Sequence, residues 1–255
     1  MASNQSANST IHFILLGASN LARAQFGLNR YFERSFPNLV STSIASGPGR
    51  AYSVSGGIFG VSYSPLKTSP IFKLGREKSS NYRLTIGLIS DIGNDIMYGV
   101  PVQKLIQDLE KSIHDLSDFC SHIFAVPIPY QKIKSLNHWQ INIIKRILFP
   151  KCELSPEKIM TSIQTVNQFL SEITNSKFKL LKEVDDCIGW DRAHYDISKM
   201  HIAWTQIINQ IAKELSMKSN KDIKQTLMFR SFIDYWKNLI FCETNPFISK
   251  NQQTY

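Results

Sequence analysis

Along this chain, short runs of β-branched and apolar residues alternate with stretches whose apolar positions recur every three to four residues. That alternation predicts βαβ units wound around a parallel sheet, because parallel neighbours need long crossovers and helices commonly supply them. Residues 11–16, 39–44, 83–89 and 122–126 read as the first four strands, and the more polar 177–184 as a fifth, near an edge. A helical period runs through Leu21, Phe26, Leu28 and Phe32, and a second through Val102, Leu105, Leu109, Ile113 and Leu116. A third follows Ser155-Pro156 through Ile159, Ile163, Val166 and Leu170, and a fourth takes in Ile202, Ile207, Ile208 and Ile211.

Two stretches fall outside that minimal unit. Residues 47–81 carry Gly, Ser and Pro throughout and read as a long loop above a strand end, a position suited to a lid. Residues 222–242 place Ile223, Leu227, Ile233, Trp236 and Ile240 along one face of an amphipathic helix, expected to pack on the domain or to form a homodimer contact. The organisation expected is a disordered start over 1–10, one domain over 11–217, a helical extension over 218–243 and a flexible tail over 244–255.

With 255 residues, 43% of them hydrophobic, the chain can bury a full α/β core. Its apolar runs stay short of the ~18 to 20 residues of a membrane-spanning helix, so no integral membrane segment is expected. The first ten residues are polar and uncharged, unlike a secretory signal. Cys120, Cys152, Cys187 and Cys242 form no CxxC pair and have no His at zinc spacing. They read as reduced thiols of a cytoplasmic protein with no metal. The net charge of +9 divides as +3 over 1–129 and +6 over 130–255, without a run of like charge. This is a solvated basic surface, not a nucleic-acid interface.

In an open parallel sheet, ligands bind beyond the carboxyl ends of the strands. Ser19 follows the first strand, Gly47 the second, Asn94 the third, and Trp190-Asp191-Arg192-Ala193-His194 the fifth. A hydroxyl, a backbone amide, a side-chain amide and an Asp/His pair thus converge on one edge, the set that acyl transfer needs. A serine hydroxyl becomes a good nucleophile when a base takes its proton, and His194 can be that base. Asp191 can hold the imidazole in one tautomer, in competition with Asp185, Asp186 and Asp196; His201 is the rival base. The oxyanion needs fixed donors, available from the amides of Ser19 and Gly47, with Gly49 as second choice, and from the Asn94 side chain. Arg50 and Tyr52 in the long loop and Trp190 beside the acid are candidate substrate contacts.

Gly17-Ala18-Ser19, Gly47, Gly93-Asn94-Asp95 and Asp191-x-x-His194 stand in the order of the four sequence blocks of the SGNH (GDSL-like) hydrolases. Ala125-Val126-Pro127-Ile128-Pro129 is similar to that family's Pro-ending fourth strand. The resemblance runs from the first strand to the helix after His194. It departs at Ala18, where the family usually has Asp, and at Ile92, where its third block usually has Gly. It implies an α/β fold, a three-layer α/β/α sandwich on a flavodoxin-like five-stranded parallel sheet. It also implies Ser19 as nucleophile, Asp191 and His194 as its partners, and Ser19, Gly47 and Asn94 as oxyanion donors, with no metal or cofactor.

The activity implied is cleavage of a small-molecule carboxylic ester, an acetyl or other small ester first, through an acyl-enzyme on Ser19. An acyltransferase would use the same residues. An alternative of a different class is a catalytically inactive SGNH-like fold that binds an anionic or lipid partner through its basic surface. A nucleotide-binding module ranks last, for want of a Gly-rich phosphate loop at the first turn.

Overall fold

The computed structural model describes residues 10–25, 27–36, 40–58, 60–217 and 252–254. In chain order the elements are β1 (Ile11–Leu16), α1 (Ser19–Ala24), α2 (Leu28–Ser35), β2 (Val40–Ala45), α3 (Ile71–Ser79), β3 (Leu84–Ile89), α4 (Asn94–Met97) and α5 (Val102–Ser117). They continue with β4 (His122–Ala125), α6 (Tyr130–Lys134), α7 (His138–Leu148), α8 (Pro156–Glu172), β5 (Phe178–Leu180), α9 (Met200–Glu214) and β6 (Gln252–Thr254). The strands form one parallel sheet in the order β5-β4-β3-β1-β2-β6. Strands β1 to β5 are the five-stranded sheet expected from the pattern, and the three-residue β6 adds to it beside β2.

The sheet is covered on both faces, which is why β1 and β3 read as near-continuous apolar runs. Side chains alternate across a strand. Phe13 and Leu15 therefore enter a core with Leu21, Phe32 and Trp204 beneath α1, α2 and α9. Ile14 and Leu16 enter the opposite core with Leu105, Leu109 and Ile163 from α5 and α8. The outcome is a three-layer α/β/α sandwich.

Several elements differ from the sequence expectation. The stretch that reads as an open loop over 47–81 contains α3, which buries Ile71, Phe72 and Gly75 behind Pro70. The period after β1 breaks into two helices around Gly27. Strand β5 keeps three residues of the eight expected. Helices α6 and α7 add to the expected set. α7 fully buries only Ile141, and Asn137 and Gln140 form a capping box at its start. The expectations for residues 1–9, Phe26, Leu39, Cys242 and the 222–242 helix lie outside the described residues. No described helix is long and apolar enough to cross a membrane.

Candidate active site

The first turn of α1 is built by a residue far away in sequence. Ala18, at its N-cap, has no side-chain acceptor to offer. Asp91, in the loop after β3, supplies one: its Oδ2 accepts the N–H groups of Ala18 at 2.8 Å and Leu21 at 3.1 Å. Asp91 itself sits at φ 56, a left-handed conformation that non-glycine residues seldom adopt and that clusters at functional sites. Gly17 is required here too, because a Cβ at that position would collide with Ser90 Oγ. Ser19 thus opens the helix on a turn fixed from the loop after β3.

Ser19 Oγ lies 2.8 Å from His194 Nε2, and His194 Nδ1 lies 2.6 Å from Asp191 Oδ2. With Nδ1–H donated to the carboxylate, Nε2 is left to accept the serine hydroxyl, which assigns the tautomer. Asp191 Oδ1 also accepts the backbone N–H of His194 at 2.9 Å and of Ala193 at 3.1 Å. Burial alone raises the Asp191 carboxyl, but the His194 ring and these two amides outweigh it and hold it below the usual range. The acid is therefore ionised wherever the protein is folded at neutral pH. Of the rivals, Asp196 accepts from Ser198, and His201 is buried within α9.

Asn20, which sequence reasoning misses, braces the histidine loop. Its Nδ2 donates to Asp91 Oδ1 at 2.8 Å and to the Ala193 carbonyl at 3.2 Å, while its Oδ1 accepts the Tyr195 N–H at 2.9 Å. Both neighbours of His194 are thus tied to the residue that follows Ser19. Its one mark in the sequence is adjacency to Ser19, and asparagine is common in turns for purely local reasons.

The start of α4 holds the loop after β2. Asn94 Nδ2 donates to the Arg50 carbonyl at 2.9 Å. Asp95, fully buried, accepts the N–H groups of Tyr52 at 2.8 Å and Ser53 at 2.7 Å. Burial pushes its carboxyl up to about 6, against the pull of those amides. Gly47 lies two residues past the Leu16–Ala45 pair of β1 and β2, and a Cβ there would run into the Tyr63 ring at 2.6 Å. Gly49, at φ 74, accepts the Tyr98 hydroxyl on its carbonyl at 2.8 Å.

The three expected substrate contacts stand elsewhere. Tyr52 is fully buried, its hydroxyl on the Ser90 and Leu16 carbonyls. Arg50 is buried and donates to the Ser64 and Ser46 carbonyls, shaping its own loop. Trp190 is 73% exposed. None of the three lines the cavity that opens beside Ser19. That cavity, of about 130 Å³, is bounded by Ser19, Asn94, Asp191 and His194 on one side. Apolar residues bound the other side. Among the described residues, no group of three or more His, Cys, Asp or Glu could hold a metal ion.

No known protein family matches the chain by sequence, and no curated protein does. Solved structures are similar in shape at low identity. One, from Streptococcus pneumonia, is provisionally described as a platelet activating factor; it shares 14% identity over 82% of this chain and 87% of that one, with a TM-score of 0.46. A carbohydrate acetylesterase family member from Sinorhizobium meliloti shares 10% over 82% and 100%, at 0.47. A psychrotrophic esterase from Pseudoalteromonas sp., inhibited by monoethylphosphonate, shares 16% over 82% and 100%, at 0.43.

Proposed function

We infer that the protein is a serine hydrolase of SGNH type that cleaves a carboxylic ester of a small molecule through an acyl-enzyme on Ser19. The observation that carries this reading is the unbroken line from Ser19 Oγ through the His194 ring to the Asp191 carboxylate, at 2.8 and 2.6 Å.

In the acylation step, Ser19 Oγ bonds to the ester carbon while its proton passes to His194 Nε2. Asp191 keeps the ring oriented and stabilises the imidazolium without taking the proton. The carbonyl oxygen becomes an oxyanion. Because Asp91 occupies the Ala18 and Leu21 amides, the Ser19 N–H, without a helical acceptor at the first helical position, is left for the oxyanion. The Gly47 N–H and the second Asn94 Nδ2 hydrogen are the other donors. The ester C–O bond then breaks and the leaving oxygen takes the proton from Nε2. In deacylation, water gives a proton to Nε2 and its oxygen to the acyl carbon; Ser19 leaves and recovers its proton. Every atom is accounted for by the substrate, one water and these side chains.

Labelling with a fluorophosphonate serine probe tests the reading. Wild type is expected to label, and Ser19→Ala and His194→Ala are expected not to. Folded wild type that neither labels nor turns over p-nitrophenyl acetate would overturn it.

A further inference from the structure

The cavity beside Ser19 is divided by polarity. All its polar lining residues come from the strand-end loops that carry Ser19, Asn94, Asp191 and His194. Everything contributed by α6, α7, α8 and the segments joining them is apolar, Ile133, Ile141, Ile144 and Ile163 among them, with Met97 of α4 completing that wall. The apolar wall favours hydrocarbon, and a wholly apolar cavity of about 150 Å³ holds benzene, a six-carbon ring. The present one, at about 130 Å³, is of that size. An acetyl group would leave most of it empty.

We propose that the acyl group cleaved at Ser19 is an apolar chain of about four to six carbons, seated between α4, α7 and α8. This rests on the serine-hydrolase reading. The carbonyl carbon sits at the polar end, where the nucleophile and the oxyanion donors converge. The chain runs away from them along the isoleucines. The alcohol or thiol side of the ester points out past the Asp191–His194 loop and is not discriminated by this wall. α7 sets the length. It presents Ile141 and Ile144 to the cavity, so bulk added there shortens the space without touching the nucleophile.

The test is a series of p-nitrophenyl esters from acetate to dodecanoate, run on the full chain beside fluorophosphonate labelling. In wild type, kcat/KM is expected to rise about fourfold per added methylene as far as hexanoate and to stop rising by dodecanoate. Ile141→Trp and Ile144→Phe are expected to lower the hexanoate-to-acetate ratio at least tenfold while still labelling. If Ile141→Trp fails to fold by circular dichroism, the half-buried Ile144→Phe and the wild-type profile decide the matter. Labelling protein that prefers acetate, or that keeps its ratio in the variants, would overturn the chain-length proposal and leave the hydrolase reading standing. Folded wild type that does not label would overturn both.

Discussion

The Asp91 carboxylate accepts the Ala18 N–H at 2.8 Å, so a helix start whose own N-cap side chain has no acceptor is capped from a neighbouring loop. The same oxygen takes the Leu21 N–H and its partner oxygen takes Asn20 Nδ2. Hydrogen bonds to a charged acceptor are worth about 1.5–3 kcal/mol each, enough to fix a turn that an alanine cannot fix for itself. Asp91→Gly relieves the φ of 56 but removes the carboxylate, whereas Asp91→Asn keeps the shape and loses the charge. If the carboxylate is what matters, both variants lose about 2 kcal/mol, a fall of roughly 4–8 °C in Tm for a domain of this size, and label at least tenfold more slowly. An Asp91→Gly protein as stable and as reactive as wild type would show that the loop holds without the anion.

Asp191 is expected to act through the tautomer of His194. Asp191→Asn keeps the packing but reverses the polarity of the bond to Nδ1. A turnover loss of about 10⁴-fold in kcat is the precedent for that change in a Ser-His-Asp site. The fluorophosphonate labelling rate should fall with it, and the far-ultraviolet spectrum should not change. A loss below tenfold would mean that the rest of the loop orients the ring.

Asn20 is expected to be a positioning residue. Asn20→Ala unpairs the buried Tyr195 N–H and frees the Ala193 carbonyl, costing about 1–3 kcal/mol of stability. Because these contacts bracket His194, kcat should fall at least tenfold with KM for a p-nitrophenyl ester little changed. A purely structural role would lower Tm and leave kcat of the folded fraction intact, so kinetics well below the transition separate the two.

Much of this arrangement is legible in the residues. The β1 limits coincide with the 11–16 run, and Ser19, Asp191 and His194 come together from opposite ends of the domain, with Asn94 beside the same cavity. Chemistry at strand ends is readable because alternation fixes where strands stop and parallel winding puts those stops on one edge. The supporting contacts are not. Asp91 reaches 70 residues back to Leu21, and no local pattern records such a pairing. Arg50 and Tyr52 resemble substrate contacts because polar and aromatic residues in a long loop usually meet solvent. In fact the buried Asp95 holds the Tyr52 and Ser53 amides and Asn94 holds the Arg50 carbonyl, and the Arg50 and Tyr52 side chains turn inward to satisfy carbonyls. α7 does carry an apolar stripe at helical spacing, Ile141, Ile144 and Leu148, which sequence reasoning passes over; it faces the cavity while most of the helix's surface stays outside the core.

Two buried groups should impose opposite pH dependences on stability over the same range. His12, on β1 with its ring stacked on Tyr82 at 4.3 Å and Nε2 beside Ser43 Oγ at 3.2 Å, is lowered to about 4 by burial and then by nearby Lys78. The unfolded chain therefore takes up a proton there first, and the stability this group contributes is present above pH 6.5 and lost as pH falls towards 4. Asp95 behaves the other way. Its carboxyl is raised to about 6, so between pH 3.8 and 6 the folded chain holds the proton more tightly, and stability falls as pH rises through that window. At about 1.4 kcal/mol for each tenfold change in proton affinity, each amounts to roughly 3 kcal/mol, and in wild type they largely cancel. Asp95→Asn should unmask a stability that climbs by about 3 kcal/mol from pH 4 to 6.5. His12→Phe, which keeps the ring against Tyr82, should unmask a decline of similar size from pH 4 to 6. Urea unfolding of wild type and both variants at half-unit steps between pH 4 and 7 measures the two differences directly. Curves for wild type and Asp95→Asn that stay parallel would show that the Tyr52 and Ser53 amides hold Asp95 ionised throughout.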